Sequence, residues 1–478
     1  MKTLTIINPS TSEVITQLEA DSDERVESAL AKARGSFDNG RWPRMPLATR
    51  KDILLKISGG ILENAAELAK LESMNSGKPI KETTFMDIPS SAKAFEDAAL
   101  AMEEYLKPEE LEVENAKSLL VRQPQGVVVL IVPWNYPLLM ASWKLASALA
   151  AGNTVILKPS SLTPLTALEL IKIMDDAGLP EGTVNLIIGS GSQVGEKLCS
   201  DKRVDMISFT GSNEVGKEIF KYTASGVKKL LMELGGKSAS IILKDADMEL
   251  AVNGSLVSAF LNQGQMCTQM SRILVDEEIY EIFIEAFLDK VKKFKLGVAL
   301  EHETQMGPMI SESQRKKVQT LVEKAKKEGA ELLCGGNIPK DEELKDGYFF
   351  EPTVFAEVDP RNPIFQQEVF GPVVCINKFC GSDEAIKLAN DSDFGLAACV
   401  WSSDADKARE IAGQINAGTV WINTYGMFYS RLPYGGFKQS GFGKELGREG
   451  MLEYTKLKNI FIDQTKGTKP IVNYWYGV

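Results

Sequence analysis

Residues 126–158, GVVVLIVPWNYPLLMASWKLASALAAGNTVILK, decide the fold class. VVVLIV (127–132) and TVILK (154–158) are apolar on both faces, and a helical segment separates them. A strand that buries both faces belongs to a parallel sheet covered by helices on either side. Downstream the pattern recurs in NLII (185–188), MISFT (206–210) and KKLLMEL (228–234), with amphipathic stretches such as PLTALELIKIMDDAGLP between the runs. Five such strands predict an α/β fold with a doubly wound parallel sheet of the nucleotide-binding type.

Before this stretch, the first hundred residues read mainly as helix. DERVESALAKARGSFD and the segment from Ala48 to Met74 space apolar residues by three and four. After it comes a second α/β series of similar size. Helices are expected near 247–264, 277–295 and 311–328, and strands near 271–276, 347–356, 373–379, 396–400 and 418–423. Segment 103–123, with its alternating LEVENAKSLLVRQ, reads as an extended hairpin leaving the body. The tail IFIDQTKGTKPIVNYWYGV also reads as strand. Exposed apolar strands invite pairing with another chain, so a homo-oligomer is expected.

Composition narrows the function. A chain of 478 residues suggests two or three domains. Its net charge of −11 argues against a nucleic-acid partner. The longest apolar stretch, Gly126 to Trp143, is broken by Pro133, Asn135 and Pro137, a poor membrane span. The N-terminal MKTLTIINPS has no signal-peptide core. One histidine, His302, sits in the polar EHETQMG. Zinc sites built on two histidines are thereby excluded, and an activated nucleophile must take its base from Glu, Asp or Lys. Six cysteines without a C-x-x-C pair argue against zinc ribbons and redox motifs and fit a reduced, cytoplasmic setting.

Five constellations could carry chemistry. In MISFT-GSNEVG-KEIF, Gly211 follows a strand, Ser212 can cap the next helix, and Gly216 permits close helix–strand approach. Such a helix start binds phosphate, or is a plain turn. GSGSQVG (189–195) is one residue too long for the dinucleotide fingerprint and reads as a decoy. Lys158 ends a strand, where it could reach ribose or phosphate or merely meet solvent. Cys267, in NQGQMCTQ, sits among amides where a thiolate could work, or is a small buried hydrophobe. Glu233 is a lone acid in the apolar LLMEL: paired, at a sheet edge, or a desolvated general base. Asn135, between two prolines in PWNYP, could donate to an oxyanion or simply rigidify a turn.

Seven strings in order carry a resemblance over nearly the whole length: PWNYPLLMASWK, AAGNTVILKPS, FTGSNEVGK, LMELGGKS, NQGQMCT, EVFGPV and PYGGFKQSGFGKELG. The chain resembles the NAD(P)-dependent aldehyde dehydrogenase superfamily, and within it the betaine-aldehyde and aminoaldehyde dehydrogenases. The resemblance implies Cys267 as catalytic thiol, Glu233 as general base and Asn135 as oxyanion donor, with Lys144 and Glu445 assisting proton movement. It places Ile131, Trp134, Lys158, Ser161, Gly211, Ser212, Glu368 and Phe370 at the NAD or NADP cofactor. It also implies a nucleotide-binding domain (1–102 and 124–236), a catalytic domain (237–445) and a small β oligomerisation element (103–123 and 455–478), in a homodimer or homotetramer.

Two positions depart from the pattern. Ser161 stands where many NAD-preferring members carry Glu, which would repel a 2′-phosphate, so the cofactor is left as NAD or NADP, with NAD slightly ahead. Of the aromatic box that holds a quaternary ammonium by cation–π attraction, Tyr136, Trp143 and Tyr434 match three places and Leu261 fills the fourth. The small-molecule partner is therefore an aldehyde, with betaine aldehyde or an aminoaldehyde among the candidates. A CoA-acylating enzyme and a non-enzymatic ligand-binding relative are the alternatives. CoA-acylating relatives usually lack the base, so Glu233 argues for hydrolysis.

Overall fold

A computed structural model describes residues 3–114, 116–224, 226–464, 475 and 476. A six-stranded sheet runs in the order Gly441–Phe442, Lys229–Glu233, Met206–Thr210, Val127–Ile131, Thr154–Lys158, Val184–Leu186. The last five are parallel, and in chain order they stand 5-4-1-2-3 across the sheet. The winding direction reverses between Val127–Ile131 and Met206–Thr210. At such a reversal the helices on either side leave a crevice beyond the carboxyl ends of the strands.

All five β-rich runs of the first series are strands, within one or two residues of the expected ends. Val127–Leu130 and Thr154–Lys158 are buried along their lengths, as two-sided coverage requires. Asp23–Asp38 is one helix, started by the Ser22 side chain accepting from Arg25 N–H, with Asp23 and Glu24 in the first turn. The 48–74 segment is two helices, Leu47–Glu63 and Ala65–Ser76, because Asn64 (ψ 15°) leaves the helical region and its side chain takes the Gly60 carbonyl. The hairpin Thr3–Ile7 with Val14–Glu19 was not expected, since these short runs mix polar with apolar residues.

A seven-stranded sheet follows the order Glu331–Cys334, Thr353–Ala356, Val373–Phe379, Arg272–Asp276, Ala239–Ile242, Ala397–Trp401, Thr419–Ile422. Only the first is antiparallel. Ala239–Ile242 near its centre escapes a hydrophobic-run reading because Ser238 and Ser240 interrupt it. In the fold Ser240 is buried and accepts from the Trp401 indole at 2.9 Å. The expected 247–264 helix ends at Phe260 and gives way to a tight turn, Leu261–Gly264.

Glu109–Val113, Ala116–Pro124 and Thr455–Asp463 form a separate antiparallel sheet. The helix Ile88–Tyr105 runs past the expected start of the hairpin at 103. The tail is strand only as far as Asp463. Residues 465–474, 477 and 478 lie outside those described, and Trp475 and Tyr476 are not in a strand. Leu111, Val113, Leu457, Ile460, Phe461 and Ile462 are exposed on this sheet. Among the described residues no helix is long and apolar enough to cross a membrane.

Candidate active site

Ile131, Lys158, Thr210 and Glu233, the last residues of four parallel strands, all line one cavity of about 1800 Å³. Residues from the segments 266–268, 312–317, 368–370 and 425–430 close its other wall. Every candidate site residue named above borders this cavity. His302 does not; it lies exposed in a turn.

At one end Lys158 is 5% exposed, and burial pulls its ammonium down to about 8. Its contact to the Pro159 carbonyl is long, at 3.4 Å. Beside it the half-buried Ser161 also borders the cavity. Gly211 and Ser212 lead into the helix Asn213–Thr223, and the Ser212 hydroxyl accepts from Val215 N–H at 3.4 Å. A Cβ on Gly216 would approach Leu234 to 2.9 Å, so the glycine sets the helix–strand spacing. The supposed decoy is part of the wall: Gly191, Ser192 and Gly195 line the same space in a wide turn that begins just after Val184–Leu186.

Further in, the Trp134 and Phe370 rings meet edge-on at 5.2 Å. Glu368 accepts from Gly236 N–H at 2.9 Å, and burial pushes its carboxyl up to about 7. The glycine pair of MELGGK is explained here. A Cβ on Gly235 would stand 2.5 Å from the Glu368 carboxylate, and one on Gly236 would run into the Cys267 carbonyl oxygen. Side chains at 235 and 236 would push Glu368 and the Cys267 loop away from the strand that ends in Glu233.

At the centre Cys267 sits three residues beyond the Leu261–Gly264 turn, its sulfur 3.5 Å from the Tyr434 hydroxyl. Burial pushes its thiol up to about 12, opposed by that hydroxyl, while Glu368 and Glu233 add to the rise. Glu233 is 3% exposed, and neither carboxylate oxygen has a hydrogen bond of good geometry. Burial, then the charge of Glu445, pushes its carboxyl well above the usual range; Lys144, Lys444 and the Gly436 amide pull it back in part. Asn135 is buried and gives one amide hydrogen to the Gln265 carbonyl at 2.9 Å. An amide carries a second donor. Lys144 pairs with Glu445 and donates to Ser208 at 2.8 Å, all three buried.

The substrate side is aromatic. Trp143 meets Tyr434 at 5.7 Å, and Phe428, which sequence reasoning missed, bridges them at 5.8 and 5.4 Å. Tyr425 joins the same wall and contacts Thr268 through its hydroxyl. Both lie in TYGMFYS, which has no periodicity to flag them. The Lys78 ammonium stands 3.5 Å from the Tyr136 ring centre and covers one face of that ring. Leu261 contributes an aliphatic patch.

Residues 1–460 match the model of the aldehyde dehydrogenase family. The betaine aldehyde dehydrogenase of Bacillus subtilis (strain 168) is 43% identical over 98% of this chain and 95% of its own. A chloroplastic aminoaldehyde dehydrogenase of Arabidopsis thaliana is 42% identical over 96% of this chain and 92% of its own. A crystal structure of a betaine aldehyde dehydrogenase point mutant from Staphylococcus aureus, in complex with NAD+ and with a BME-modified cysteine, superposes with a TM-score of 0.96. It is 42% identical and covers 99% of this chain and 96% of its own. With this cavity, this sheet order and this extent of identity, the chain belongs to the aldehyde dehydrogenase family.

Proposed function

We propose that the protein oxidises an aldehyde to the free carboxylic acid with NAD or NADP, through a thiohemiacetal and then a thioester on Cys267. The observation that carries this reading is the convergence of a thiol, an unpartnered buried carboxylate and a side-chain amide on one cavity beside a nucleotide-type crevice.

The donor set fits a dinucleotide. Lys158 offers a buried ammonium whose protein contact is weak, Ser212 heads an eleven-residue helix, and Glu368 turns a carboxylate to the cavity. Helix N-termini favour phosphate, and a carboxylate suits ribose hydroxyls. Bound nicotinamide supplies the hydride acceptor. Ile131 and Trp134 border its crevice, and Phe370 shapes the mouth of the reacting centre.

Cys267 adds to the carbonyl carbon as a thiolate. With its pKa near 12 it needs help to ionise. Glu233 is the base within electrostatic reach, and the Tyr434 hydroxyl steadies the sulfur anion. The free hydrogen of the Asn135 amide and the Cys267 backbone N–H donate to the oxyanion. After oxidation Glu233 takes a proton from the water that attacks the thioester, and the acid leaves. Glu233 favours this hydrolysis over acyl transfer to CoA. Lys144 and Glu445 hold a buried store of charge next to the base.

As substrate we place betaine aldehyde or an aminoaldehyde first. Trp143, Phe428 and Tyr434 present a cluster of rings. Near the cavity rim, Asp87 is paired with Lys78 and Asp97 with Lys93, so a cationic head group would rely on ring faces. The similarity to the B. subtilis betaine aldehyde dehydrogenase and the Arabidopsis aminoaldehyde dehydrogenase supports the same class. The domain division is proposed as 1–102 with 124–236, 237–445, and 103–123 with 455–478. The exposed apolar residues of the small sheet favour a homodimer or homotetramer. Six unpaired cysteines favour the cytoplasm.

The test is initial rates over betaine aldehyde, aminoaldehydes, and aliphatic and aromatic aldehydes, each with NAD and with NADP, with and without CoA. Free acid formed without CoA, and abolished by alkylation of Cys267, is expected. Undiminished NAD(P)H formation by Cys267→Ala would sink the reading.

A further inference from the structure

Away from the reacting centre, four ionisable side chains are almost completely removed from water: Glu72, Lys78, Glu82 and Asp87. Lys78 pairs with Asp87 at 2.5 Å. Glu72 accepts from Leu138 N–H at 3.0 Å and from the Thr166 hydroxyl at 2.6 Å. The group thus sets one ammonium against three carboxyls. A buried charge persists only when matched, and Lys78 matches one. Burial accordingly pushes Glu72 up to about 7 and Glu82 up to about 8.

Glu82 faces a different way from the rest. It ends the short helix Ile80–Glu82, where the chain passes into a wide π turn, Thr83–Asp87. Its carboxyl crosses 180 residues of sequence to accept from the backbone N–H of Asn262 at 3.0 Å. Asn262 (φ 49°), Gln263 (φ 56°) and Gly264 (φ 68°) are three consecutive left-handed residues. Residues with a side chain resist that conformation, and it persists only where the surroundings hold it. The Asn262 side chain donates to the Asn135 carbonyl at 3.0 Å and to the Gln265 carbonyl at 3.3 Å. Gln265 in turn receives the Asn135 amide, and Cys267 stands two residues further on. A continuous set of hydrogen bonds therefore runs from Glu82 through Asn262 to the oxyanion donor and to the loop that carries the thiol.

We infer that Glu82 is a positioning residue for the aldehyde-oxidising centre: its carboxyl oxygen pins the left-handed turn that aims Asn135 and Cys267 at one carbonyl. The inference rests on the roles proposed for those two residues. Glu82 touches neither substrate nor cofactor, and what it supplies is an acceptor in a fixed place.

The experiment is pre-steady-state NAD(P)H formation by the full-length enzyme with betaine aldehyde and with propionaldehyde, alongside alkylation by iodoacetamide, cofactor KM and melting temperature. Glu82→Leu is expected to slow the burst about tenfold or more, as misaimed reacting groups do, with cofactor KM little changed. Glu82→Gln keeps an oxygen for the Asn262 N–H and is expected to rescue most of the burst. A wild-type burst in Glu82→Leu overturns the inference, and so does a Glu82→Gln as slow as Glu82→Leu. If Glu82→Leu does not fold, Glu82→Asp carries the test, because it keeps a carboxyl but is one methylene too short to hold its oxygen at the Asn262 N–H. A slowed burst at an unchanged melting temperature supports the inference, and a wild-type burst overturns it. Failure of the underlying reading looks different: the wild type itself would show no burst and no protection of the alkylated thiol by aldehyde.

Discussion

Lys144 and Glu445, 301 residues apart in sequence, form an ion pair with side chains 1% and 3% exposed. The Ser208 hydroxyl is 2.8 Å from the ammonium and 3.2 Å from the carboxylate, and the Tyr454 hydroxyl reaches Ser208 at 3.1 Å. The pair joins the helix Pro137–Ala150 to the segment that follows the strand Gly441–Phe442, and both charges act on the carboxylate of Glu233. Breaking it leaves one buried charge uncompensated. Lys144→Met is expected to destabilise the fold by about 3–5 kcal/mol. Lys144→Met with Glu445→Gln should recover much of that loss in urea unfolding, and equal destabilisation of single and double variants would contradict the pairing.

Glu233→Gln removes the proposed base without changing the size of the side chain. Deacylation is expected to slow far more than the first NAD(P)H burst. In the wild type the base works only when ionised, and its carboxyl is held well above the usual range by burial. Thioester hydrolysis should therefore rise with pH, over a range displaced upward from that of an ordinary carboxylate. Single-turnover rates of both steps across pH check this, and a pH-independent hydrolysis step would remove Glu233 from that role.

Asn135→Ala deletes the side-chain oxyanion donor. A turnover loss of about 10²–10³ is expected. Steady-state kcat measured beside cofactor affinity separates this from misfolding, and an undiminished kcat would assign the oxyanion to other donors.

Ser161→Glu introduces an acid near Lys158, whose ammonium has no acidic partner among the described residues. A carboxylate there repels a 2′-phosphate. The kcat/KM with NADP should fall tenfold or more, by about 1.4 kcal/mol per factor of ten, while that with NAD holds or improves. Parallel changes with both cofactors would place Ser161 away from the ribose.

Glu72→Gln should flatten the pH dependence of stability. The Glu72 carboxyl is pushed to about 7 by burial, from 4.5 when unperturbed. Between those values the folded protein keeps a proton that the unfolded chain has released. Stability therefore falls as pH rises through that window, by up to about 1.4 kcal/mol per pH unit from this group. Lys158 and Lys237, pulled down to about 8, are charged in both states below that pH and add no slope there. The glutamine keeps an oxygen for Leu138 N–H. Melting temperatures from pH 5 to 7 check the difference, and equal slopes in variant and wild type would refute it.

Sequence alone determined the strand–helix alternation and the doubly wound sheet, and it named candidate residues that all border one cavity. These depend on local apolar pattern and on short strings such as MELGGK and NQGQMCT, where neighbours in sequence are neighbours in space. It missed Ala239–Ile242, whose buried Ser240 accepts from a tryptophan far along the chain, and it set aside the 189–195 turn, whose wider spacing still reaches the crevice. It also missed Phe428, which packs against both Trp143 and Tyr434. Only the tertiary structure decided that Lys78 already covers one face of Tyr136, that Glu233 is buried with no hydrogen bond of good geometry among the described residues, and that Glu82 reaches Asn262. The physical reason is the same in each case. Burial, charge matching and hydrogen-bond satisfaction are properties of groups brought together from far along the chain, and no local pattern in the sequence records which partner each will meet.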